Sequence, residues 1–324
     1  ETAKPANKHE LSIASYNVEN LDPVNDAERI VAIARQIREN LRAPDILGLQ
    51  EVQDNNGEAT SGGSAGEQTW QAIVDAIAAQ GGPAYEFRQI DPVPNEDGGA
   101  PGANIRVGLM FNPARVQFVD RPGGTATTAT EDDPAHPGAQ LTFSPGRIEP
   151  NHPAWAESRK PLAGEFRFGG RTLFVVNNHF ASKGGDAPLF GRFQEPYRPS
   201  ELQRRRQAEV VNGWVKRLQQ ADPLAKVIVL GDLNDFEFSE SVRILQQGTQ
   251  ASLLPELVDL WPLVKPDGRY SYIFQGNGQV LDHILVSPVL LLAKPEFGPV
   301  HMNAEFDDEQ QSDHDPPLLR LRFN

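Results

Sequence analysis

Six short motifs in this chain put carboxylates, amides and imidazoles at the ends of apolar, strand-like runs. Tyr16-Asn17-Val18-Glu19-Asn20 follows LSIAS, Gln50-Glu51-Val52 follows DILGL, and Asn177-Asn178-His179-Phe180 follows TLFVV. Gly231-Asp232-Leu233-Asn234-Asp235 follows KVIVL, Leu281-Asp282-His283-Ile284 opens another run, and Ser312-Asp313-His314-Asp315-Pro316 precedes PLLRLRF. Strands with polar residues at their exits deliver side chains to one rim of a sheet, where open α/β folds place their chemistry. The chain has no cysteine, so thiol catalysis and disulfide stapling are both excluded. What is left is oxygen and imidazole chemistry of the kind that suits metal-assisted hydrolysis of a phosphate ester. A divalent cation neutralises phosphoryl charge, stabilises a leaving oxygen and lowers the pKa of a bound water.

Roles follow from residue type. Hard cations such as Mg²⁺ take oxygen ligands and keep several waters, so one or two carboxylates are enough, and Mn²⁺ or Ca²⁺ would suit the same donors. Glu51 is the first candidate metal ligand, against the alternative of a solvated strand-end carboxylate. Asn17 can add its carbonyl oxygen or serve a turn, and Asp313 can bind the same ion or a second one. Asp232 and Asn234 stand two apart and leave their strand on one face. That spacing lets a carboxylate act on the attacking water while an amide donates to a phosphoryl oxygen, although Gly-Asp and Asn-Asp also form turns. Asp235 reads as a turn or helix-cap residue. His314 is expected to face the phosphate as a donor or proton shuttle, with Asp282 as the carboxylate that orients it. Alternation points His283 away from Asp282, and His9, His136, His152 and His301 read as surface or loop residues. Arg106 and Arg159 each enter a strand-like run beside a polar loop and suit either bidentate phosphate contact or an exposed salt bridge. Arg204-Arg205-Arg206 falls on a helical pattern, points three ways, and reads as a solvated face.

The stretches SYNVENL, PDILGLQEV, NNHFASKGGD, VIVLGDLND, YSYIF, QVLDHILVS and SDHDP resemble the endonuclease/exonuclease/phosphatase superfamily. That group includes pancreatic deoxyribonuclease, abasic-site endonucleases, bacterial sphingomyelinases and inositol polyphosphate phosphatases. The spelling is most similar to bacterial secreted-type nuclease domains, over about Leu11 to Phe323. The resemblance implies a four-layered α/β sandwich, two packed, mostly antiparallel sheets flanked by helices. It also implies that Glu51 binds the metal and that His179 is a second phosphate-facing imidazole with Asn178 as a support. Ser158-Arg159-Lys160-Pro161 resembles a family segment that touches substrate. Glu19 departs mildly, since abasic-site endonucleases carry Asp there.

The elements that must position these groups alternate along the chain. Asp26 could cap a helix with Ile30, Ile33, Ala34, Ile37 and Leu41 on one face. A second amphipathic run carries Trp70, Ile73, Val74 and Ile77, and a third carries Leu202, Val210, Val211, Trp214, Val215 and Leu218. β-rich runs lie at 105–111, 162–168, 172–178, 226–230, 270–274, 281–286 and 317–323. Because the motifs spread from Asn17 to His314, any cut would split them, so residues 11–324 are expected to form one domain after a disordered lead-in at 1–10. Three polar, Gly/Pro-rich segments interrupt the pattern: 53–68, 91–104 and roughly 120–158. Loops of that length are usually functional or disordered, and the third, running into Arg159, is expected to wall the substrate.

Net charge is −14, from 30 basic and 44 acidic side chains in 324 residues. Wrapping of duplex DNA relies on Lys and Arg, so no broad basic face is expected. A bound cation inverts the field of a carboxylate pocket, and a nuclease stays compatible with the charge. No stretch approaches a membrane span, and no stable protein partner is implied. A removed signal peptide would explain the polar start, so an extracellular or periplasmic location is expected. The leading expectation is a Mg²⁺- or Mn²⁺-dependent phosphodiesterase with nucleic acid as substrate. The rival is a phospholipid headgroup hydrolase, which would need exposed apolar loops; the candidate loops are polar apart from Leu189-Phe190-Gly191-Arg192-Phe193 and Tyr197. A phosphomonoesterase would want more convergent Lys and Arg, and a non-catalytic binding module would have lost site residues.

Overall fold

Strand alternation decides which side chains meet in this protein. The computed structural model describes all residues except 189–190, 251–253, 307–308 and 324, so Leu189-Phe190 of the apolar loop noted above lies outside the described residues. In chain order the strands are β1 (Glu10–Leu21), β2 (Ile46–Val52), β3 (Glu86–Gln89), β4 (Arg106–Phe111), β5 (Gln117–Phe118), β6 (Gly146–Arg147), β7 (Leu162–Phe168) and β8 (Arg171–His179). They continue with β9 (Val227–Asp232), β10 (Val258–Asp259), β11 (Tyr272–Phe274), β12 (Asn277–Gln279), β13 (Asp282–Val286), β14 (Glu296–Pro299) and β15 (Pro317–Arg322). The helices are α1 (Ala27–Glu39), α2 (Glu67–Ala79), α3 (Pro199–Ala221) and α4 (Glu240–Gln247).

One sheet runs β14-β15-β1-β2-β4-β3 and the other β10-β13-β9-β8-β7-β5, with β6 added on β7. β1 with β2 and β8 with β9 are parallel; the other strand pairs in the two sheets are antiparallel. Ile13, Ile46, Leu109, Phe166, Val175, Leu230, Ile284 and Leu319 fill the space between the sheets. Outside the first sheet, Ile33 and Ile37 of α1 and Trp70 and Ile73 of α2 cover Tyr16, Leu47 and Leu49. Outside the second, Val211, Trp214 and Val215 of α3 and Val242 and Leu245 of α4 cover Phe174, Val176, Val227 and Val229. Helix, sheet, sheet, helix is the expected four-layered sandwich, and burial of these three apolar layers is its main driving force.

Several local expectations need correction. Asp26 precedes α1, but its carboxylate receives the Asp22 N–H and the Arg29 guanidinium, and it makes no side-chain cap. Leu202 is 55% exposed; at about 100° per residue it lies half a turn round α3 from Val211. Arg204 falls on the buried stripe with Gln207, Ala208 and Val211 and is not a solvated residue. Of residues 1–10, read as a disordered lead-in, Glu10 already belongs to β1; residues 1–9 form no regular element, yet the Ala3 N–H donates to the Asn40 carbonyl and Arg320 donates to the Lys4 carbonyl. The 120–158 segment mostly covers α3: Leu141, Ile148 and Trp155 join the outer core, Trp214 donates to the Thr130 carbonyl, and Arg217 pairs with Glu131 and Glu149.

Gly231 ends the apolar part of β9 at φ +135°, and a Cβ there would collide with the Asn178 carbonyl. Only glycine tolerates both conditions. Gly231→Ala is expected to lower the unfolding free energy by about 3 kcal/mol in urea titration; a change within about 0.5 kcal/mol, the range of ordinary surface substitutions, would contradict this account of the β8–β9 approach.

Candidate active site

Rows of inward-facing residues that are apolar in the middle of the sandwich become polar at one rim. Along β8 the inner row is Leu173, Val175, Asn177 and His179; along β9 it is Ile228, Leu230 and Asp232; along β13 it is Val286, Ile284 and Asp282; along β1 it is Leu11, Ile13, Ser15 and Asn17. Pairing fixes their meeting, with His179 and Asp282 both opposite Asp232 on its two neighbours. Glu51 arrives differently. Strict alternation would send it away from the inner row of Ile46, Gly48 and Gln50, but it adopts φ 62° where the β2 pairings slip register. Such irregularities re-aim side chains at sheet rims.

Asp232 is the hub. Its Oδ1 accepts the Asn234 backbone N–H at 2.8 Å, and its Oδ2 accepts the Asn17 amide at 3.1 Å and the Asn234 amide at 3.2 Å. His179 Nε2 lies 3.5 Å from both Glu51 Oε1 and Asp232 Oδ2. His314 Nε2 lies 3.9 Å from Asp232 Oδ2, and its Nδ1 is 2.6 Å from Asp282 Oδ2. Asn17 also donates to Glu51 Oε1 at 2.9 Å, and the Asn20 N–H donates to Glu51 Oε2 at 3.1 Å.

The surroundings push the two imidazole pKa values in opposite directions. Arg159 Nε donates to His179 Nδ1 at 3.2 Å, which leaves the ring proton on Nε2, aimed between Glu51 and Asp232. Burial, with the Arg159 charge behind it, pushes the His179 pKa well down. Burial acts the same way on His314, but the charge and hydrogen bond of Asp282, followed by Asp232 and Asp313, prevail and hold its pKa well up. The site therefore presents two imidazoles with opposed pKa shifts to the same space. Burial raises the Asp232 pKa to about 6, with His314 opposing and Asp282 reinforcing the shift, and burial raises Glu51 as well.

Glu51, His179 and Asp232 each offer a ligand atom within 4.8 Å of one another, as do Asp232, Asp282 and His314. The residues fit a divalent cation: two carboxylates lie close together, both with pKa values raised by burial, in a chain without cysteine. Glu51 could hold such an ion as a member of the first group. Asn17 is brought to the site with its nitrogen, and not the expected carbonyl oxygen, toward the carboxylates, because that oxygen accepts the Glu19 N–H. Asp313 stays on the exposed edge, 3.7 Å from His314 Nε2, and lies outside both candidate ligand groups.

Three further expectations change. Asn178 points away from the site, as its place between the inward Asn177 and His179 requires, and it donates to the Val176 and Leu230 carbonyls. Its neighbour Asn177 stitches the two sheets instead, donating to the Leu49 and Gly108 carbonyls and accepting from Gln50. Arg106 is 1% exposed; it pairs with Asp91 and the Asn104 carbonyl, so it anchors the 91–104 loop and does not face a phosphate. Arg159 does reach the site, but as the group behind His179, with its other contact to the Phe180 carbonyl. His283 bonds Asp259 and the Asp235 carbonyl on the opposite face from Asp282. Asp235 gathers Arg204, Ser239 and Ser241. Two neighbours of the site were not anticipated. Tyr272 packs on His314 at 5.0 Å between ring centroids, and Lys183 donates to the Asn234 carbonyl. The stretches YSYIF and NNHFASKGGD, noted above for their resemblance, hold these two residues and were the available signals.

A four-layered sandwich with carboxylates, amides and paired imidazoles on one rim defines a class, the metal-assisted hydrolases of phosphate esters. The chain belongs to the Endonuclease/Exonuclease/phosphatase family, whose model matches residues 14–314. Enzymes of this family hydrolyse phosphodiester bonds and depend on divalent metals. No curated protein is matched significantly by the sequence. Among solved structures, the chain is similar to a humanized D. rerio TDP2 carrying 14 mutations, at 20% identity and TM-score 0.58, over 97% of this chain and 100% of that one. It is also similar to D. rerio TDP2 complexed with single strand DNA product, at 19% identity and TM-score 0.54, over 97% and 99%. The human Nocturnin catalytic domain with bound sulfate anion matches at 14% identity and TM-score 0.58, over 97% and 95%. At these identities the likeness shows the fold.

As pH falls through about 6, Asp232 takes up a proton and can no longer accept one. Its pKa lies above the unfolded value of about 4, so its contribution to stability declines as pH rises across that window. Turnover is expected to fall on the acid side with a midpoint at or below the Asp232 value, since a cation at Glu51 would lower it. A pH–rate profile with no acid limb down to about pH 4, the unfolded carboxyl value, would contradict the assignment of Asp232 as base.

Proposed function

We propose that this protein is a divalent-cation-dependent phosphodiesterase that cleaves nucleic acid, DNA and also RNA, with little sequence preference. The observation that carries the reading is the convergence of the His179 and His314 imidazoles on Asp232 beside Glu51. Asp232, fixed by the Asn234 backbone N–H and the Asn17 amide, orients the attacking water and takes its proton. His314, held by Asp282, and His179, held by Arg159, donate to phosphoryl oxygens as charge builds there. The Asn234 amide stands beside them. A cation held by Glu51 would supply charge neutralisation at the phosphate and at the leaving oxygen.

Support for a nucleic-acid substrate comes from the motif spellings and from the structural neighbour described as complexed with single strand DNA product. Among the described residues no helix is long and apolar enough to cross a membrane. A second reading, a phospholipid headgroup hydrolase, gains one observation: Phe274, in the β11–β12 hairpin next to Tyr272, is 51% exposed. Candidate loops are thus less uniformly polar than their composition suggests.

Incubation with plasmid DNA, RNA, sphingomyelin vesicles and an inositol phosphate in parallel separates these readings. The assay belongs at low ionic strength, because backbone contact by a protein of charge −14 weakens as salt rises. With Mg²⁺ or Mn²⁺, DNA and RNA are expected to be cut and sphingomyelin left intact. Phosphocholine release with both nucleic acids intact would replace the nuclease reading by the lipid one.

A further inference from the structure

β8 and β9 are parallel neighbours, so the loops that follow them leave the same rim. One loop carries Lys183, four residues beyond His179; the other carries Phe236 and Phe238, just beyond Asn234. Phe236 and Phe238 stack with ring centroids 5.3 Å apart and an interplanar angle of 25°. Lys183 Nζ lies 4.5 Å from the Phe236 centroid while donating to the Asn234 carbonyl. Phe238, the outer ring, is 79% exposed.

Scattered exposed apolar residues are ordinary on protein surfaces. This pair differs because it is ordered ring on ring, is tied to a half-buried ammonium, and adjoins the turn that holds Asp232 and Asn234. We propose that Phe238, backed by Phe236, is a stacking platform for an unpaired base of single-stranded nucleic acid, with Lys183 as the contact for an adjoining phosphate. This deepens the nuclease reading and rests on it. An aromatic face accepts any base, since every base has a π-face, so the platform adds affinity without sequence preference. Duplex DNA keeps its bases in the stack and offers none to Phe238. The ammonium supplies one positive charge beside the rings for an adjoining phosphate. Burial, then the Arg204 charge, lowers the Lys183 pKa to about 8, which leaves it protonated at neutral pH.

The test needs no catalysis. A single-stranded DNA oligonucleotide containing 2-aminopurine is titrated with the full chain in chelator at low salt, and quenching and anisotropy are recorded. Wild-type protein is expected to quench the probe. Phe238→Ala is expected to lose the quenching and bind about tenfold more weakly, whereas Phe238→Trp retains both. An oligonucleotide of abasic sugar-phosphate units should bind wild type and Phe238→Ala equally. Because Phe238 is exposed, its substitution leaves the core intact. Unchanged binding and quenching by Phe238→Ala, in a protein whose wild type cleaves DNA, overturns the platform alone. Wild-type protein that neither binds the oligonucleotide nor cleaves DNA or RNA overturns the nuclease reading and the platform with it. Loss of binding to sphingomyelin vesicles by Phe238→Ala, with oligonucleotide binding kept, would assign the pair to a lipid surface.

Discussion

The oxygen Asp232 Oδ2 is the point on which the rest of this structure converges. It accepts two amides, from Asn17 and Asn234, and it faces two imidazoles, His179 and His314. The carboxylate is 1% exposed. A buried anion is costly unless paired and hydrogen-bonded, and here the compensation is deliberately spread: each partner touches Asp232 while a second contact fixes that partner's own geometry. Asp282 fixes His314, Arg159 fixes His179, the Glu19 N–H fixes Asn17, and the Phe180 carbonyl fixes Asn234.

The sandwich is the means by which these partners arrive. Asp232 needs β8 on one side and β13 on the other in the same sheet, and it needs the facing sheet close enough for Asn17 and Glu51 to reach it. Gln50 and Asn177 join the two sheets just beneath the site, with the Gln50 amide donating to Asn177 at 2.6 Å. This polar link replaces the apolar contacts deeper between the sheets and sets their spacing where chemistry demands it. A further layer lies behind the β9 turn, where Asp235 binds Arg204 and Asp259 binds His283, which in turn contacts the Asp235 carbonyl. These ion pairs bury charge, and pairing of this kind is weak evidence for net stability; what they do is fix the turn that carries Asn234.

Much of this was legible in the sequence because it is local. The i, i+2 spacing of Asp232 and Asn234 and the strand-end position of His179 and His314 place those groups without tertiary knowledge, and the three amphipathic runs became α1, α2 and α3. Alternation also held the answer for Asn178, since His179 and Asn177 share a parity that excludes it, and helical periodicity held the answer for Arg204. Other features were hidden. Arg106 is consumed by Asp91, across a loop whose path no local pattern encodes. Glu51 reaches the site through a left-handed backbone conformation, which strict alternation would deny. Asn17 turns its nitrogen inward because its oxygen accepts the N–H of Glu19, two residues on.

The central claim is that the Glu51 carboxylate holds a divalent cation beside the Asp232 base. Anomalous diffraction from crystals soaked in Mn²⁺ tests it most directly. One strong peak is expected against the Glu51 carboxylate on the side facing Asp232, and it should vanish in Glu51→Gln crystals. No peak at Glu51 under saturating Mn²⁺, or a peak there that survives Glu51→Gln, would contradict the account.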